Sequence, residues 1–522
     1  MENMITIKPL LATLTNIRRS MLKAERHFQQ YTDKVQPHYH ESSRNLIHYL
    51  ALRSFDLQEL QYQLSSLGLS SLSHSERYTR VNVENILFLL RLLNGGDSES
   101  LDREEEALAT HPPRSRAQLI SNTLQLFGPE DYPGHTRLMV TLPLRAAEDP
   151  QFVQELLLAG MKVARINTSH DSPSDWLRMI HNLRQAEAAT SKPVLLYMDL
   201  QGPKIRTGEI PARLTKKGKS KRGFIRLRVG DQLDLVRQQQ PASLPVWGSH
   251  KEQLQPGSIS ISLPEVLDDL KVGHTIWFDD GKFGGRIEEV HAAGVRVRIT
   301  SVMHDKDKLF AGKGINLPET QLRLPALTQA DLDNLPLICA NADMLGLSFV
   351  RKEQDIEILQ EQLDKLGKPD IGIIIKVETQ ETFNNLPTIL LRAMRSPRVG
   401  LMIARGDLAV ELGFIRIAEV QEQLMWLCEA AHVPVIWATQ ILENLVTKGA
   451  ASRAEISDVV LSVRAECAML NKGPYILDAL HLLQDIDRRM AQHQSKKQHS
   501  LKPLGVARHF MANLNDTGRK SR

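Results

Sequence analysis

Two neighbouring stretches, Asp370-Ile-Gly-Ile-Ile-Ile-Lys-Val-Glu378 and Val399-Gly-Leu-Met-Ile-Ala-Arg405, decide the architecture. Each is almost continuously apolar and ends in charge. A strand with one wet face alternates apolar and polar residues. An unbroken apolar run of strand length suits a parallel strand covered on both faces. Similar runs lie at Arg137–Leu142, Lys162–Asn167, Pro193–Asp199, Ala342–Phe349, Val433–Thr439 and Glu466–Leu470. Amphipathic helical stretches separate them, among them Phe152–Ala159, Asp175–Ala189, Gln354–Leu366 and Arg416–Ala431. Eight such strands with helical crossovers predict an α/β fold of the TIM (β/α)8 barrel type. The competing doubly wound open sheet would carry a glycine-rich loop after its first strand, and Thr141–Pro143 is not one.

The alternation breaks once. Residues 209–316 hold short β-prone runs (Phe224–Val229, Gln232–Val236, Ile259–Leu263, Thr275–Phe278, Val295–Ile299) between Gly/Pro turns, which predicts a small all-β lid domain inserted between barrel parts 131–208 and 317–485. Residues 1–130 predict a helical N-terminal module and linker. One helix is expected over Ser43–Leu67, stopped by Gly68, and another over Val81–Leu93, before an acidic linker at Asp97–Glu106. Residues 486–522 read as a basic tail, disordered from Lys496.

Composition is that of a globular protein, with 522 residues, 42% hydrophobic and 24% charged. A net charge of +4 points to neither nucleic acid nor membrane. No apolar run reaches the roughly 18 residues that span a bilayer, and the N-terminus lacks a secretory signal pattern. Three scattered cysteines make no disulfide framework, so a reducing, cytoplasmic setting is expected.

In a parallel barrel, chemistry sits at the C-terminal strand ends. Those ends carry Arg165, Asn167, Ser169 and His170, then Asp199, Ser348, Lys376 with Glu378, Arg405-Gly406-Asp407, and Thr439-Gln440. Singly, each is a surface pair or a common tripeptide. Together they place charged or hydroxyl groups on one rim, and burying charge there is costly unless something binds. Glu378 and Asp407 offer hard oxygen ligands for Mg²⁺ or Mn²⁺. Arg165 offers a planar fork for phosphate, and Lys376 a point charge where negative charge develops. Gly406 lets backbone N–H groups approach an anion. The set suits metal-assisted phosphoryl transfer.

Several segments in order, Ala159–His170, Asp199–Gly208, Lys376-Val-Glu378, Ile403–Leu408 and Pro434–Gln440, resemble the pyruvate kinase family. So do Asp279-Asp280-Gly281 and Lys313–Pro318 in the inserted domain, and the resemblance covers about residues 136 to 485. It implies conversion of phosphoenolpyruvate and ADP to pyruvate and ATP, in a homo-oligomeric glycolytic enzyme that binds neither nucleic acid nor membrane. Arg165 would meet the phosphoryl group and the nucleotide, and Lys376 the phosphoryl group and enolate. Glu378 and Asp407 would hold the divalent ion. Gly406, Asp407 and Thr439 would cradle the carboxylate, with Ser348 also on the substrate side and Thr439 near the protonated face. Asn167, Ser169 and Asp199 match a monovalent-cation site. His170, Arg206, Asp280 and Lys313 would face the nucleotide, the last two from a closing lid.

The chain departs from the family pattern in places. Leu200 stands where Thr is usual and Lys204 where potassium-requiring members carry Glu. The resemblance therefore implies that K⁺ is not required, the ammonium replacing its charge. The loop Thr141–Leu144 and the segment Asn471-Lys472-Gly473 replace the usual Ile-Gly-Pro-Ala-Ser and Ser-Gly-Glu-Thr. The usual C-terminal regulatory domain is not expected, nor regulation through its effector site. The basic run Lys216–Arg222 is expected to be a solvated hairpin tip, because no aromatics interleave, and His38, His40 and His48 lack acidic or cysteine partners for a metal. Two other functions compete: a metal-dependent lyase or aldolase acting on a pyruvate enolate, which would need no nucleotide clamp, and a non-catalytic regulatory scaffold.

Overall fold

The computed structural model describes residues 6–95, 112–130, 134–214, 220–250, 252–304, 307–491, 494–495 and 498–499. Eight parallel strands close a TIM barrel. They are β1 (Arg137–Thr141), β2 (Met161–Asn167), β3 (Leu195–Asp199), β4 (Met344–Leu347), β5 (Gly372–Val377), β6 (Val399–Ala404), β7 (Val435–Ala438) and β8 (Cys467–Leu470). The ladder closes between β8 and β1, with Arg137 opposite Cys467 and Val140 opposite Leu470. Side chains alternate between barrel interior and helical layer. Met139, Val163, Met344, Ile374, Met402, Ile436 and Met469 fill the interior, while Val140, Ile375 and Leu401 pack under the helices.

One end of the barrel is plugged. Leu126 and Phe127, at the end of the helix Pro112–Phe127, are buried in the interior cluster. A Cβ on Gly372 or Gly400 would come within 2.8 or 2.6 Å of Leu126, so glycine at both positions admits the plug. The site is left to the opposite rim.

The inserted domain is a six-stranded sheet in the order Ile315–Asn316, Thr275–Phe278, Phe283–His291, Gly294–Val302, Gln232–Val236 and Gly257–Ser260. The expected strand Phe224–Val229 is not one. Ile225 makes an isolated bridge to Leu309, and Ile225 and Leu227 are buried in the domain core, so the alternation there reports burial without a ladder. Arg213–Leu214 pairs with Ser220–Lys221, which lies within the basic run, and residues 216–219 of that run lie outside the described residues.

The expected single helix over Ser43–Leu67 is two, His40–Arg53 and Gln58–Ser66. Ser54 Oγ donates to Ala51 O at 2.7 Å as the first ends, and Asp56 Oδ1 accepts Gln58 N–H at 3.1 Å as the second starts. Side-chain oxygens thus serve backbone groups that a continuous helix would have paired. Gly68, with φ +71°, follows the second helix. The module packs its own core of Leu10, Leu14, Ile17, Met21, Leu52 and Leu87, and joins the barrel through buried polar contacts. Ser42 Oγ lies 2.9 Å from His432 Nδ1, and Asn45 Nδ2 donates to Ala430 O at 2.8 Å. His38 and His48 are engaged separately, with Pro397 O at 3.1 Å and Glu25 Oε2 at 2.8 Å. The final helix runs Ile476–Met490; the acidic stretch Asp97–Glu106 and most of the expected tail lie outside the described residues. Among the described residues no helix is long and apolar enough to cross a membrane. The three cysteines are buried, and none is in a disulfide.

Candidate active site

At the open rim a cleft of about 500 Å³ is walled by the barrel strand ends on one side and the inserted domain on the other. Of the residues singled out from sequence, Arg165, Asn167, Ser169, His170, Arg206, Asp280, Lys313, Ser348, Lys376, Glu378, Gly406, Asp407 and Thr439 line it. Asp199 does not line it; it is buried at 1% exposure behind Arg165.

Lys376 leaves β5 into the centre of this constellation. Its Nζ lies 3.0 Å from Glu378 Oε1, 2.7 Å from Ser348 Oγ and 3.8 Å from Asp199 Oδ1. Burial opposes its charge, but Asp199 and Glu378 outweigh that and hold its pKa above the usual lysine value. The residue is a fixed ammonium. Arg165 on β2 is gripped from two sides: Nε donates to Asp199 Oδ2 at 2.8 Å, joined by Nη2, and Nη1 donates to Thr141 Oγ1 at 2.8 Å. Burial works to raise the Asp199 pKa, yet Arg165 and Lys376 bring it below the ordinary aspartate value.

Glu378, one residue past β5, accepts the Phe349 N–H on Oε2 at 2.8 Å. Burial raises its pKa; Lys376 opposes this and the Asp407 carboxylate adds to it. Asp407 sits in the first turn of the short helix Arg405–Leu412, and Lys204 Nζ reaches its two oxygens at 2.9 and 3.0 Å. Two mutually repelling carboxylates of this kind fit a divalent cation. Among the described residues no group of three or more His, Cys, Asp or Glu forms a ready cage. An ion held by two carboxylates keeps water or substrate ligands, as Mg²⁺ prefers.

The monovalent-cation set does not fit an ion in the same way. Asn167 Oδ1 accepts the Ser169 N–H at 3.1 Å. Asp199 takes Tyr197 Oη–H on Oδ1 and Arg165 on Oδ2, and Leu200 is a fully buried hydrocarbon.

Thr439 follows β7 and faces Gly406; a Cβ on Gly406 would stand 3.3 Å from Thr439 Oγ1. The Thr439 carbonyl accepts Arg405 Nη2 at 2.5 Å, and the same guanidinium pairs with Asp458 at 2.5 and 2.8 Å. On the lid side, Lys313 Nζ pairs with Asp279 Oδ1 at 2.8 Å, while Asp280 is exposed to the cleft. Of the acidic pair Asp279-Asp280, the first therefore anchors the lysine. Burial, then Lys472 and Arg206, lower the His170 pKa, favouring neutral imidazole.

Sequence reasoning reaches Asp279 and Phe349 only inside motifs, without a role of their own, and does not single out Tyr197 or Glu443. Tyr197 lies inside an apolar run, and Glu443 follows its strand end at a distance that the rim rule does not reach.

Comparison with known proteins points to one family. The family model described as pyruvate kinase, barrel domain, matches residues 134–475. The chain is 32% identical over 351 residues to a pyruvate kinase of Bacillus licheniformis, covering 66% of this chain and 55% of that one. It is 30% identical over 392 residues to one of Dictyostelium discoideum, covering 71% of each. It is 29% identical over 320 residues to one of Clostridium acetobutylicum, covering 61% of each. The alignments thus span from 55% to 71% of these relatives' lengths. The family model matches more than half of the chain and the closed barrel is the fold its description names, so the chain belongs to the pyruvate kinase family.

Proposed function

We propose that the chain is a divalent-metal-dependent phosphotransferase that moves the phosphoryl group of phosphoenolpyruvate to ADP, giving pyruvate and ATP. The observation that carries this reading is the convergence of Lys376, Glu378, Asp407 and Arg165 on one cleft that the inserted domain overhangs.

In this reading Arg165, pre-oriented by Asp199 and Thr141, presents its remaining guanidinium edge to the phosphoryl oxygens. The phosphorus–oxygen bond to the enol oxygen breaks as one to the ADP β-phosphate oxygen forms. Lys376, held charged, stabilises the enolate oxygen left behind. Glu378 and Asp407 would hold Mg²⁺ or Mn²⁺, which would neutralise phosphoryl and carboxylate oxygens. The first-turn N–H groups at Gly406 and Asp407 cradle the carboxylate, with Ser348 bracing Lys376. Thr439 stands at the face where the enolate carbon gains its proton. His170, Arg206, Lys313 and Asp280 receive the nucleotide, and Lys204 removes the need for K⁺. We further read the protein as a cytoplasmic, glycolytic homo-oligomer.

The test is ADP-dependent pyruvate formation from phosphoenolpyruvate with Mg²⁺, with ATP quantified in parallel. Equal yields of pyruvate and ATP support the proposal. Pyruvate release without ATP would indicate another chemistry, the phosphoryl group passing to water instead of ADP, and no turnover would indicate a scaffold.

A further inference from the structure

The barrel interior holds one phenol that this chemistry leaves unused. Tyr197, on β3, is fully buried and donates its hydroxyl to Asp199 Oδ1. Residues two apart on a strand share a face, so the pair is built into the strand itself. Gly346 on adjacent β4 makes the room: a Cβ there would lie 2.0 Å from Tyr197 Oη and 2.4 Å from Asp199 Oδ1. A phenol keeps its proton at neutral pH, so Tyr197 is a donor here. With Arg165 on Oδ2, the carboxylate has a partner on each oxygen.

Charge closes the same position. Around the rim three cations (Arg165, Lys376, Lys204) pair with three carboxylates (Asp199, Glu378, Asp407). At the monovalent position the one carboxylate, Asp199, already pairs with Arg165 and has Lys376 Nζ 3.8 Å away. A monovalent ion entering there would also have to take a buried oxygen from an established donor, which costs the displaced hydroxyl its partner.

We propose that Tyr197 closes the monovalent-cation position, its hydroxyl occupying the Asp199 oxygen an ion would ligate and so holding Asp199 against Arg165 without one. Tyr197 is a positioning residue that acts through Asp199. Lys204 supplies the charge of the absent ion and Tyr197 supplies the ligand contact. Removing the lysine alone therefore leaves the position shut.

Only the kinetic arm of the test rests on the phosphotransferase reading; ion uptake is read without turnover. Rubidium, a potassium mimic, is followed by equilibrium dialysis with Lys204→Gln and with the double variant Lys204→Gln/Tyr197→Ala. Lys204→Gln is expected to take up no Rb⁺ and to run equally fast in potassium and choline buffers. The folded double variant is expected to bind about one Rb⁺ per chain and to run several-fold faster in potassium. If the alanine variant does not fold, Lys204→Gln/Tyr197→Phe takes its place, opening Asp199 Oδ1 with less loss of packing. Rb⁺ uptake or potassium rescue in Lys204→Gln alone overturns the proposal, as does a folded double variant that ignores both ions.

Discussion

Lys204 Nζ stands 2.9 Å from one oxygen of Asp407 and 3.0 Å from the other, across 203 residues of sequence. The lysine leaves the loop after β3, and the aspartate opens the helix after β6. This ion pair puts a permanent cation beside one of the two carboxylates proposed to hold the divalent metal. It also brings the charges of the rim into balance.

From that pairing the wild-type rate is expected to be the same, within about twofold, in potassium and in choline at constant ionic strength, because screening of the partly buried pair is then matched. Steady-state rates in the two buffers decide it. Strict dependence on potassium contradicts the role given to Lys204.

Arg405 ties the Thr439 carbonyl to the Asp458 carboxylate. Asp458→Asn frees the guanidinium to move and Thr439 with it. The expected result is a fall in kcat of about tenfold or more with KM for phosphoenolpyruvate little changed, since small misplacements at the reacting centre are costly. A rise in KM alone would place Thr439 in binding instead.

Glu411 links the helix bearing Asp407 to the lid, accepting Asn316 Nδ2 at 3.2 Å. Burial raises its pKa to about 7; Asn316 lowers it and Asp407 raises it. The folded state thus holds a proton that the unfolded chain releases earlier. The stabilisation is complete below the unfolded value of 4.5 and is lost as pH rises through about 7. Glu411→Gln, which keeps an acceptor for Asn316, should flatten the melting temperature between about pH 5 and 8. It should gain on the order of 1–2 kcal/mol at the alkaline end. An unchanged pH profile contradicts this assignment.

Asn45 makes three hydrogen bonds at the seam: its amide donates across it to Ala430 O of the barrel, and within the module donates to Glu76 O and accepts Thr79 N–H. Asn45→Ala leaves buried backbone groups unpaired and should lower stability by about 1–3 kcal/mol. A thermal melt shows it as a fall of several degrees; no shift means the seam is not held there.

Much of the barrel was legible because its strands are buried on both faces, which leaves unbroken apolar runs bounded by charge. Inserted strands Gln232–Val236 and Thr275–Phe278 were readable to the residue, since half-buried sheet keeps its alternation. The rim was legible because a parallel barrel collects its strand ends, and motif resemblance pointed to the same residues. What escaped depends on distance in sequence. Ser42 and His432 lie 390 residues apart, and no local pattern announces a polar seam between a helical module and a barrel. The split at Ser54–Leu57 escaped because apolar spacing continues across it while side-chain oxygens end one helix and start the next. Tyr197 and Asp199 share a strand face by simple period, yet the value of the pair emerges only with Gly346 and Arg165 around it.

Lys376, between Glu378 and Asp199, is the residue proposed to stabilise charge during phosphoryl transfer to ADP. The direct measurement compares ADP-dependent pyruvate formation by wild type and Lys376→Met in Mg²⁺, with both proteins shown to be folded. Wild type should form pyruvate and ATP in equal amounts, and the variant should be slower by about 10²-fold or more, as expected for loss of one preorganised charge. A wild type that makes no ATP, or a Lys376→Met variant that keeps the wild-type rate, would contradict that role.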